Sequence, residues 1–214
     1  MSIKYIAILL VLITMPMCFA GFLDSLASFN KKNRDDIQAT FDNFFVVEKG
    51  VFYRSQQLSP DSLAYYLKRY GIKTLINLRG KGPCQCWEKE AAVAQRLGVA
   101  SFLLSMSAVY LTSRQDLITI LTLFDSVPRP ILVHCVGGAD RTGEVSALWV
   151  LDQMKLPKEK ALEQLSIKYG HRKYKNTAKD FLIEIWQGRD WAYNLYNPLH
   201  YPLYCHPNEL LSSH

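Results

Sequence analysis

Apolar and polar residues follow two alternating patterns along this chain. Short apolar runs of roughly four to eight residues, typical of buried strands, are followed by longer segments whose apolar residues recur at helical spacing. The predicted strands lie within residues 44–54, which form one or two strands turned at Lys49-Gly50, and at residues 73–78, 99–104 and 130–134. The predicted helices span residues 60–70, 88–97, 113–126, 141–155, 157–169 and 177–187.

Alternating strands and helices predict the α/β fold class, with a mostly parallel sheet and helices on its faces. A chain of 214 residues is long enough for one well-packed domain of this kind, and two domains are not expected. Ligands of such sheets bind beyond the carboxyl ends of the strands. We therefore expect the functional site at that edge.

The N-terminal end has the layout of a secretory signal peptide. Residues 1–20 carry Lys4, an apolar run, a break at Pro16 and small residues before the expected cleavage point. We therefore expect an exported protein, periplasmic or secreted. The alternative is an uncleaved membrane anchor formed by residues 5–23, and a membrane is an expected partner only in that case.

Two further segments flank the predicted domain, which we place at residues 44–190. Residues 21–43 form an N-terminal lead, amphipathic over residues 22–29. Residues 191–214 form an aromatic C-terminal arm, expected to be extended and to pack on the domain. Its alternatives are part of a substrate wall or a partner surface.

Composition and charge narrow the functional class. Hydrophobic residues make up 49% of the chain and charged residues 21%, which excludes a disordered protein. The formal net charge of +6 comes from basic residues dispersed along the sequence, so nucleic acid is not an expected partner. A positive field around an anion-binding cleft accounts for the sign of the charge.

The most informative stretch is V-H-C-V-G-G-A-D-R-T-G, residues 133–143, between the last predicted strand and its following helix. Five residues separate Cys135 from Arg141, enough for the backbone to curl with its N–H groups pointing inward around a tetrahedral anion. Gly137 and Gly138 permit this curl because glycine tolerates positive φ angles. Arg141 offers a planar fork of donors to two phosphate oxygens.

This loop also lies at a helix N-terminus, where unpaired N–H groups and the helix dipole favour anions. The same field favours the thiolate of Cys135 at neutral pH, and the thiolate is the nucleophilic form of cysteine. The alternative is a buried cysteine in an ordinary strand-to-helix turn. Strand, paired glycines, Arg-Thr-Gly and helix in this order favour phosphate chemistry through a cysteine nucleophile.

The stretch resembles the H-C-x5-R-[ST] signature of the cysteine-dependent phosphatases, the superfamily of protein tyrosine and dual-specificity phosphatases. The resemblance implies that Cys135 forms a phosphocysteine intermediate, that Arg141 clamps the phosphate, and that the Thr142 hydroxyl stabilises the departing thiolate. His134 would orient the loop and would not act as a base. The remaining loop residues would bind substrate phosphate: Val136, Gly137, Gly138 and Ala139.

Two upstream stretches extend the resemblance, which covers most of residues 45–190. Residues 51–57 and residues 71–79, which include G-I-K-T-L-I-N-L-R, are similar to strands of atypical dual-specificity phosphatases. The implied fold is a single domain of three layers, with helices on both sides of a central, mostly parallel sheet. Arg54 and Arg79, at predicted strand ends, are candidate substrate-binding residues.

The general acid of these enzymes is absent from its usual place. The corresponding stretch, residues 103–112, contains no carboxylate. Asp116 is the nearest acid downstream, but Ser113-x-x-Asp116 before an apolar run predicts a helix capping box. Asp140 inside the loop is the better candidate for proton transfer; its other interpretation is a hydrogen bond that holds the loop.

These features predict a tyrosine or dual-specificity phosphatase that needs no metal or other cofactor and acts on a phosphorylated protein or a small phosphomonoester. A displaced acid penalises poor leaving groups most, so aryl phosphates, phosphotyrosine included, should react faster than alkyl phosphates. Ala139 stands where related loops tend to carry lysine, which weakens the case for highly phosphorylated inositols. Two alternatives stay open: an inositol phosphate or phosphoinositide phosphatase, and a phosphate-binding pseudophosphatase with little activity.

The remaining cysteines have more than one interpretation. In an oxidising compartment, a disulfide from Cys205 to Cys84 or Cys86 is one prediction, and unpaired thiols are the other. The same three cysteines with His206 form a zinc-site alternative, although their spacing matches no common motif.

Overall fold

A computed structural model of the protein describes residues 25, 28, 35–82, 86–175 and 177–206. The chain forms two compact units, residues 1–41 and residues 42–214. In the first unit, residues 35–41 are helical. The predicted signal peptide, the alternative anchor and most of the predicted lead lie outside the described residues. Within the described residues, no helix has the length and apolar character needed to cross a membrane.

A five-stranded sheet forms the centre of the second unit. Its strands are β1 (Phe45–Glu48), β2 (Phe52–Ser55), β3 (Thr74–Asn77), β4 (Ala100–Leu103) and β5 (Ile131–His134). Their spatial order is β1-β2-β5-β3-β4. The β1–β2 pair is an antiparallel hairpin, and the other three pairs are parallel. The mostly parallel sheet predicted from the sequence is confirmed.

The carboxyl ends of the three central strands meet at one edge of the sheet. Ser55 of β2 and Asn77 of β3 both pair with His134, the last residue of β5. Every residue of these three strands is buried, as expected for a sheet covered on both faces. Cys135 follows His134 directly, so the loop of interest begins at this edge.

Seven α-helices in the described part of the second unit surround the sheet. They are α1 (Pro60–Arg69), α2 (Cys86–Arg96), α3 (Arg114–Ser126), α4 (Asp140–Asp152), α5 (Lys158–Leu162), α6 (Thr177–Ile185) and α7 (Arg189–Asn194). The Ser113 hydroxyl accepts the Asp116 N–H at 3.1 Å and donates to the Asp116 carboxylate at 2.8 Å. Asp116 thus belongs to the predicted cap at the start of α3.

Trp149 of α4 fixes this helix against the sheet. Its side chain is fully buried, and its ring stacks on Phe52 of β2 with centroids 4.3 Å apart. The indole Nε1 donates to the Glu48 carboxylate at 2.8 Å, so the buried polar atom has a partner. Because α4 begins where the Cys135 loop ends, this packing also positions the loop.

The helix predicted over residues 157–169 is wrong in its second half. α5 ends at Leu162, and turns lead to a 3₁₀ helix at Ile167–Tyr169. A continued helix would bond the Gln164 carbonyl to the N–H four residues later. Here Arg54 Nη1 donates to that carbonyl at 2.8 Å instead.

The aromatic arm is not extended, which corrects the prediction for its conformation. It contains α7 and two 3₁₀ helices, Pro198–His200 and Pro202–Tyr204. The Tyr204 ring stacks on Phe181 of α6 with centroids 4.2 Å apart. The Tyr204 carbonyl also accepts the Leu111 N–H at 2.8 Å, so the arm packs on the domain and holds the segment before α3.

Candidate active site

The loop from Cys135 to Ala139, here called the catalytic loop, joins β5 to α4 and is shaped by one glycine in particular. Gly138 has a φ angle of 70°, and a Cβ atom there would lie 2.7 Å from the Ser55 carbonyl oxygen. Gly137 was also predicted to use a positive φ angle. It does not, and a Cβ atom on it would meet no atom within 4 Å.

Cys135 lies at the base of the loop and is 3% exposed. The next residue, Val136, is 53% exposed, and its carbonyl accepts the Gln57 N–H at 2.9 Å. Cys135 is therefore shielded from solvent, while the outer part of the loop is accessible.

Arg141 lies in the first turn of α4 and bridges two segments at the edge of the sheet. Its Nη1 donates to the carbonyl oxygens of Leu78 and Met106 at 3.2 and 3.4 Å. Its Nε is buried and has no hydrogen-bond partner in the structure. The guanidinium is thus held by the backbone that follows β3 and β4, and its Nε–H remains unused.

The Thr142 side chain is fully buried behind the loop, and its Oγ1 has no hydrogen-bond partner. A buried hydroxyl without a hydrogen-bond partner lowers the stability of the folded protein by about 1–3 kcal/mol. Such a cost is common at functional sites. Thr142 therefore retains an unused donor one residue after Arg141.

His134 joins the start of the loop to α2. Its Nδ1 lies 3.2 Å from the Cys135 carbonyl oxygen, and its Nε2 lies 3.0 Å from Glu90 Oε2. Glu90 also accepts hydrogen bonds from Gln57 and Asn77 at 2.6 and 2.9 Å. Burial tends to raise the pKa of Glu90, but its bonds to His134, Gln57 and Asn77 outweigh burial and lower it. This carboxylate, which sequence reasoning missed, supports the orienting role predicted for His134.

Arg54 is fully buried, and this corrects its prediction as a substrate-binding residue. Its Nη2 donates to the Gly138 carbonyl at 2.7 Å, and its Nη1 also reaches the Gln164 side chain at 2.9 Å. The guanidinium carbon lies 3.8 Å from the centre of the Tyr169 ring. Burial lowers the pKa of Arg54 to about 10, while the charges of Tyr169 and Cys135 oppose this change. Arg54 is therefore a buried cation that holds the loop through the Gly138 carbonyl.

Asn43 provides a second support for the loop from outside the signature. Its Nδ2 donates to the Gly137 carbonyl at 2.7 Å and to the Tyr169 carbonyl at 3.0 Å. Asn43 has a positive φ angle of 47°, which asparagine tolerates better than most residues. The side chain thus bridges the catalytic loop and the 3₁₀ helix that follows α5.

Asp140 begins α4 directly after the loop and lies against a histidine that sequence reasoning missed. Asp140 Oδ1 is 2.7 Å from His171 Nδ1, and His171 Nε2 is 2.8 Å from Asp180 Oδ2 on α6. The His171 side chain is fully buried, whereas the Asp140 side chain is 24% exposed. Burial alone would lower the pKa of His171, but its bonds to the two carboxylates raise it from 6.5 to about 9.

Arg79 lies beyond β3 and reaches the site indirectly. Its Nη1 donates to Gln57 Oε1 at 2.8 Å, and its main-chain N–H donates to Asn77 Oδ1 at 2.8 Å. Gln57 in turn binds Glu90, so Arg79 extends the network that supports His134. Its contact with substrate stays a prediction.

Residues 103–112, which lack a carboxylate, are held to the interior. The buried Lys179 donates to the Tyr110 carbonyl at 2.8 Å and to Glu144 Oε2 at 2.8 Å. Thr112 donates to the same Glu144 oxygen at 2.9 Å. The segment that carries the acid in the resembling enzymes is therefore tied down here at its second half.

The Cys205 thiol donates to the Pro198 carbonyl, and the described residues contain no Cys86–Cys205 disulfide. Cys84, which both the disulfide and the zinc alternatives use, lies outside the described residues. Among the described residues, no group of three or more His, Cys, Asp or Glu is placed to hold a metal ion.

Solved structures with the same fold support the architecture. TpbA of P. aeruginosa, solved in complex with pTyr, is 20% identical in sequence and superposes with a TM-score of 0.56. The match covers 68% of this chain and 85% of the TpbA chain. The core catalytic domain of the PP-IP phosphatase SIW14 from S. cerevisiae is 19% identical with a TM-score of 0.56 and the same coverages, 68% and 85%. A DUF442 phosphatase from Shewanella putrefaciens is 15% identical with a TM-score of 0.55, covering 69% and 94%. At these identities the likeness establishes the fold alone.

No curated protein matches the chain. One protein-family model matches residues 25–181, which is more than half of the sequence. This family is described as DSP-PTPase phosphatase fused to NAD⁺ kinase. The chain therefore belongs to this family, within the superfamily of tyrosine and dual-specificity cysteine phosphatases.

Proposed function

We propose that this protein is a cysteine-dependent phosphomonoester hydrolase that prefers aryl phosphates such as phosphotyrosine. The observation that carries the proposal is the placement of Cys135 directly after β5 and of Arg141 in the first turn of α4, on either side of one tightly held loop. Membership of a phosphatase family supports the reaction class. The neighbouring TpbA structure with pTyr supports the choice of an aryl phosphate.

In the proposed first step, the Cys135 thiolate attacks phosphorus and the ester P–O bond breaks. Main-chain N–H groups of the loop, the α4 dipole and Arg141 hold the phosphoryl oxygens as negative charge develops on them. Arg54 keeps the loop in place through its hydrogen bond to the Gly138 carbonyl. The leaving oxygen receives a proton from Asp140.

In the proposed second step, water attacks the phosphocysteine and the S–P bond breaks. Asp140 takes a proton from this water, and Thr142 donates a hydrogen bond to the sulfur as it regains its charge. The buried, unbonded Oγ1 of Thr142 supports this role. Phosphate then leaves and the thiolate is restored.

Replacing the nucleophile tests the mechanism. We expect Cys135→Ser to abolish turnover of an aryl phosphate while inorganic phosphate still binds, because the loop and Arg141 are retained. Cys205→Ser is the matched control, since serine can keep the hydrogen bond to Pro198 and this residue lies in the arm. Retained turnover in Cys135→Ser would eliminate the mechanism. Absence of both burst and steady-state release in the unmodified protein would favour the pseudophosphatase.

The aryl preference is tested with matched phosphotyrosine and phosphoserine peptides. A phenol with a pKa of about 10 leaves far more easily than an alkoxide. Residues 103–112 offer no carboxylate to assist the poorer leaving group. We therefore expect a higher kcat/KM for the phosphotyrosine peptide. Equal values for the two peptides would contradict this preference.

One observation favours a second candidate, a small substrate with several phosphate groups. The exposed residues Arg172, Lys173 and Lys175 follow His171, which is bound to the loop residue Asp140. These cations could supply the charge that Ala139 lacks, and the SIW14 neighbour is a PP-IP phosphatase. Higher turnover of inositol polyphosphates than of phosphotyrosine peptides would select this candidate, and the reverse result would reject it.

Export of the protein is a separate proposal that rests on residues 1–20. Their basic start, apolar run and small residues before Gly21 support a cleaved signal peptide. The N-terminal sequence of the mature protein tests it: a start at Gly21 is expected, and an intact Met1 with the chain in the membrane fraction would favour the anchor.

A further inference from the structure

We propose that His171 is a positioning residue that holds Asp140 at the catalytic loop and keeps a proton available to it. The inference rests on the proposed function and adds a residue outside the signature. Its basis is the chain of contacts Asp140–His171–Asp180, with distances of 2.7 and 2.8 Å.

The geometry fixes the orientation of the imidazole. His171 lies between two carboxylates, Asp140 of α4 and Asp180 of α6. Each of its ring nitrogens faces one of them. A neutral imidazole donates from one nitrogen only, whereas an imidazolium donates from both. The two carboxylates therefore favour the protonated ring.

The neighbouring chain brings His171 close to the loop. A Cβ atom on Gly170 would lie 3.8 Å from the Ala139 side chain, so this segment packs directly on the loop. Asn43 links the Tyr169 carbonyl to Gly137, which fixes the residues just before His171. The contact with Asp140 is thus part of a continuous support and not an isolated surface contact.

Burial separates the roles of the two acids. Asp180 is 5% exposed at its side chain, and Asp140 is 24% exposed. Asp180 therefore acts on the ring from the interior, while Asp140 is the member of the line that reaches the accessible side. Asp140 transfers the proton, and His171 acts through it.

The proton balance of the two steps follows from this arrangement. Before reaction the Asp140–His171 pair holds one transferable proton, the Nδ1 proton of an imidazolium next to a carboxylate. When the P–O bond breaks, Asp140 gives a proton to the leaving oxygen and takes the Nδ1 proton, which leaves His171 neutral. When water breaks the S–P bond, its proton passes through Asp140 to Nδ1, its hydroxyl stays on phosphorus, and the imidazolium is restored.

The pair solves a problem that an isolated carboxyl group has near neutral pH. A lone aspartic acid has a pKa of about 4 and would already have lost its proton. The Asp140–His171 pair keeps one proton until the imidazolium itself titrates, and the raised pKa of His171 supports this. A proton is thus retained without a carboxylate on residues 103–112.

The experiment compares His171→Asn with the matched control His200→Asn, which changes an exposed histidine in the arm. Phenyl phosphate needs protonation of its leaving group, and p-nitrophenyl phosphate hardly does. We expect His171→Asn to lower kcat/KM for phenyl phosphate on the order of 10²-fold, with a much smaller loss for p-nitrophenyl phosphate. The basic limb of the pH–rate profile should move to lower pH.

Asp180→Asn is the second variant, because it keeps the Asp140 contact and removes one acceptor of the ring. It should move the basic limb in the same direction with a smaller loss of rate. Equal losses on both substrates with an unchanged pH profile would overturn the inference and leave His171 a purely structural residue.

An NMR titration of the His171 ring makes the test independent of turnover. Asp140→Asn should lower the midpoint of this titration, and an unchanged midpoint would overturn the pairing. If the unmodified protein has no Cys135-dependent turnover while the midpoint shift is present, the proposed function fails and the pairing stands.

Discussion

Gly138 is bound to β2 by close contact and by charge. Its α-carbon packs so tightly on Ser55 that a Cβ atom would lie 2.7 Å from the backbone, and its carbonyl accepts from Arg54 at 2.7 Å. Gly137 has open space at the same position. The two adjacent glycines therefore differ in the space for a side chain: Gly138 has none, whereas Gly137, whose carbonyl binds Asn43, has room for one.

Alanine at these two glycines should have different costs. Gly138→Ala places a Cβ atom against backbone at a φ angle of 70°, so we expect it to lose at least about 2 kcal/mol of unfolding free energy. Gly137→Ala, the matched control, should lose less than about 1 kcal/mol. Urea denaturation of the two variants measures the difference. Similar losses would mean that the loop relaxes away from β2.

The chemistry of single residues was predictable where the signal is local. Cys135 and Arg141 are identified by their spacing, since only a short loop and the start of α4 separate them. The role of Arg54 depends on a carbonyl 84 positions away, and that of His171 on a carboxylate 31 positions away. No local pattern distinguishes these side chains from an exposed arginine or histidine.

Among the elements, the segment between α5 and α6 has the largest effect on the site. Gln164 and Tyr169 contact Arg54, which holds the catalytic loop, and His171 contacts Asp140, the residue after the loop. Apolar periodicity predicted a continuous helix here, because Ala161 and Leu165 are buried at helical spacing. The Arg54 guanidinium binds the Gln164 carbonyl, which a continued helix would need for its own main-chain hydrogen bond. Apolar periodicity carries no information about this contact. The strands and the other main helices were predicted well because their apolar faces match their burial.

The contact between α4 and α6 through His171 makes stability depend on pH. The pKa of His171 is raised from 6.5 to about 9 in the folded protein, so the stabilisation is fully present below about pH 6.5 and is lost as the pH rises through 9. The loss is on the order of 3 kcal/mol at most. Denaturation at pH 6 and pH 9.5 should show a larger decrease for the unmodified protein than for His171→Asn. Equal decreases would contradict the pairing.

At the scale of the whole second unit, a buried ion pair joins distant parts of the chain. Lys179 of α6 and Glu144 of α4 are both fully buried and lie 2.8 Å apart. Burial raises the pKa of Glu144, and Lys179 opposes this by its charge and its hydrogen bond. Lys179 also binds the Tyr110 carbonyl, and Thr112 binds Glu144. One pair therefore connects two helices with the segment before α3.

Removing one partner should be worse than removing both. Lys179→Met leaves a buried carboxylate without its cation, so we expect a loss of about 3–5 kcal/mol of unfolding free energy. Adding Glu144→Gln should recover part of that loss, because the uncompensated charge is gone. A double-mutant cycle by urea denaturation measures the coupling. Additive losses would indicate that the two charges do not stabilise one another.

The supports of the catalytic loop have a consequence for biosynthesis. A ribosome that has released residues up to 155 has already made Cys135, Arg141 and the whole of α4. The acceptor for Arg54, the imidazole beside Asp140 and the lysine that secures Tyr110 all follow, between Gln164 and Lys179, and Tyr204 comes later still. The nascent chain thus contains its reactive sulfur before the residues that position it, and the loop gains all of these supports only after Tyr204 has been made.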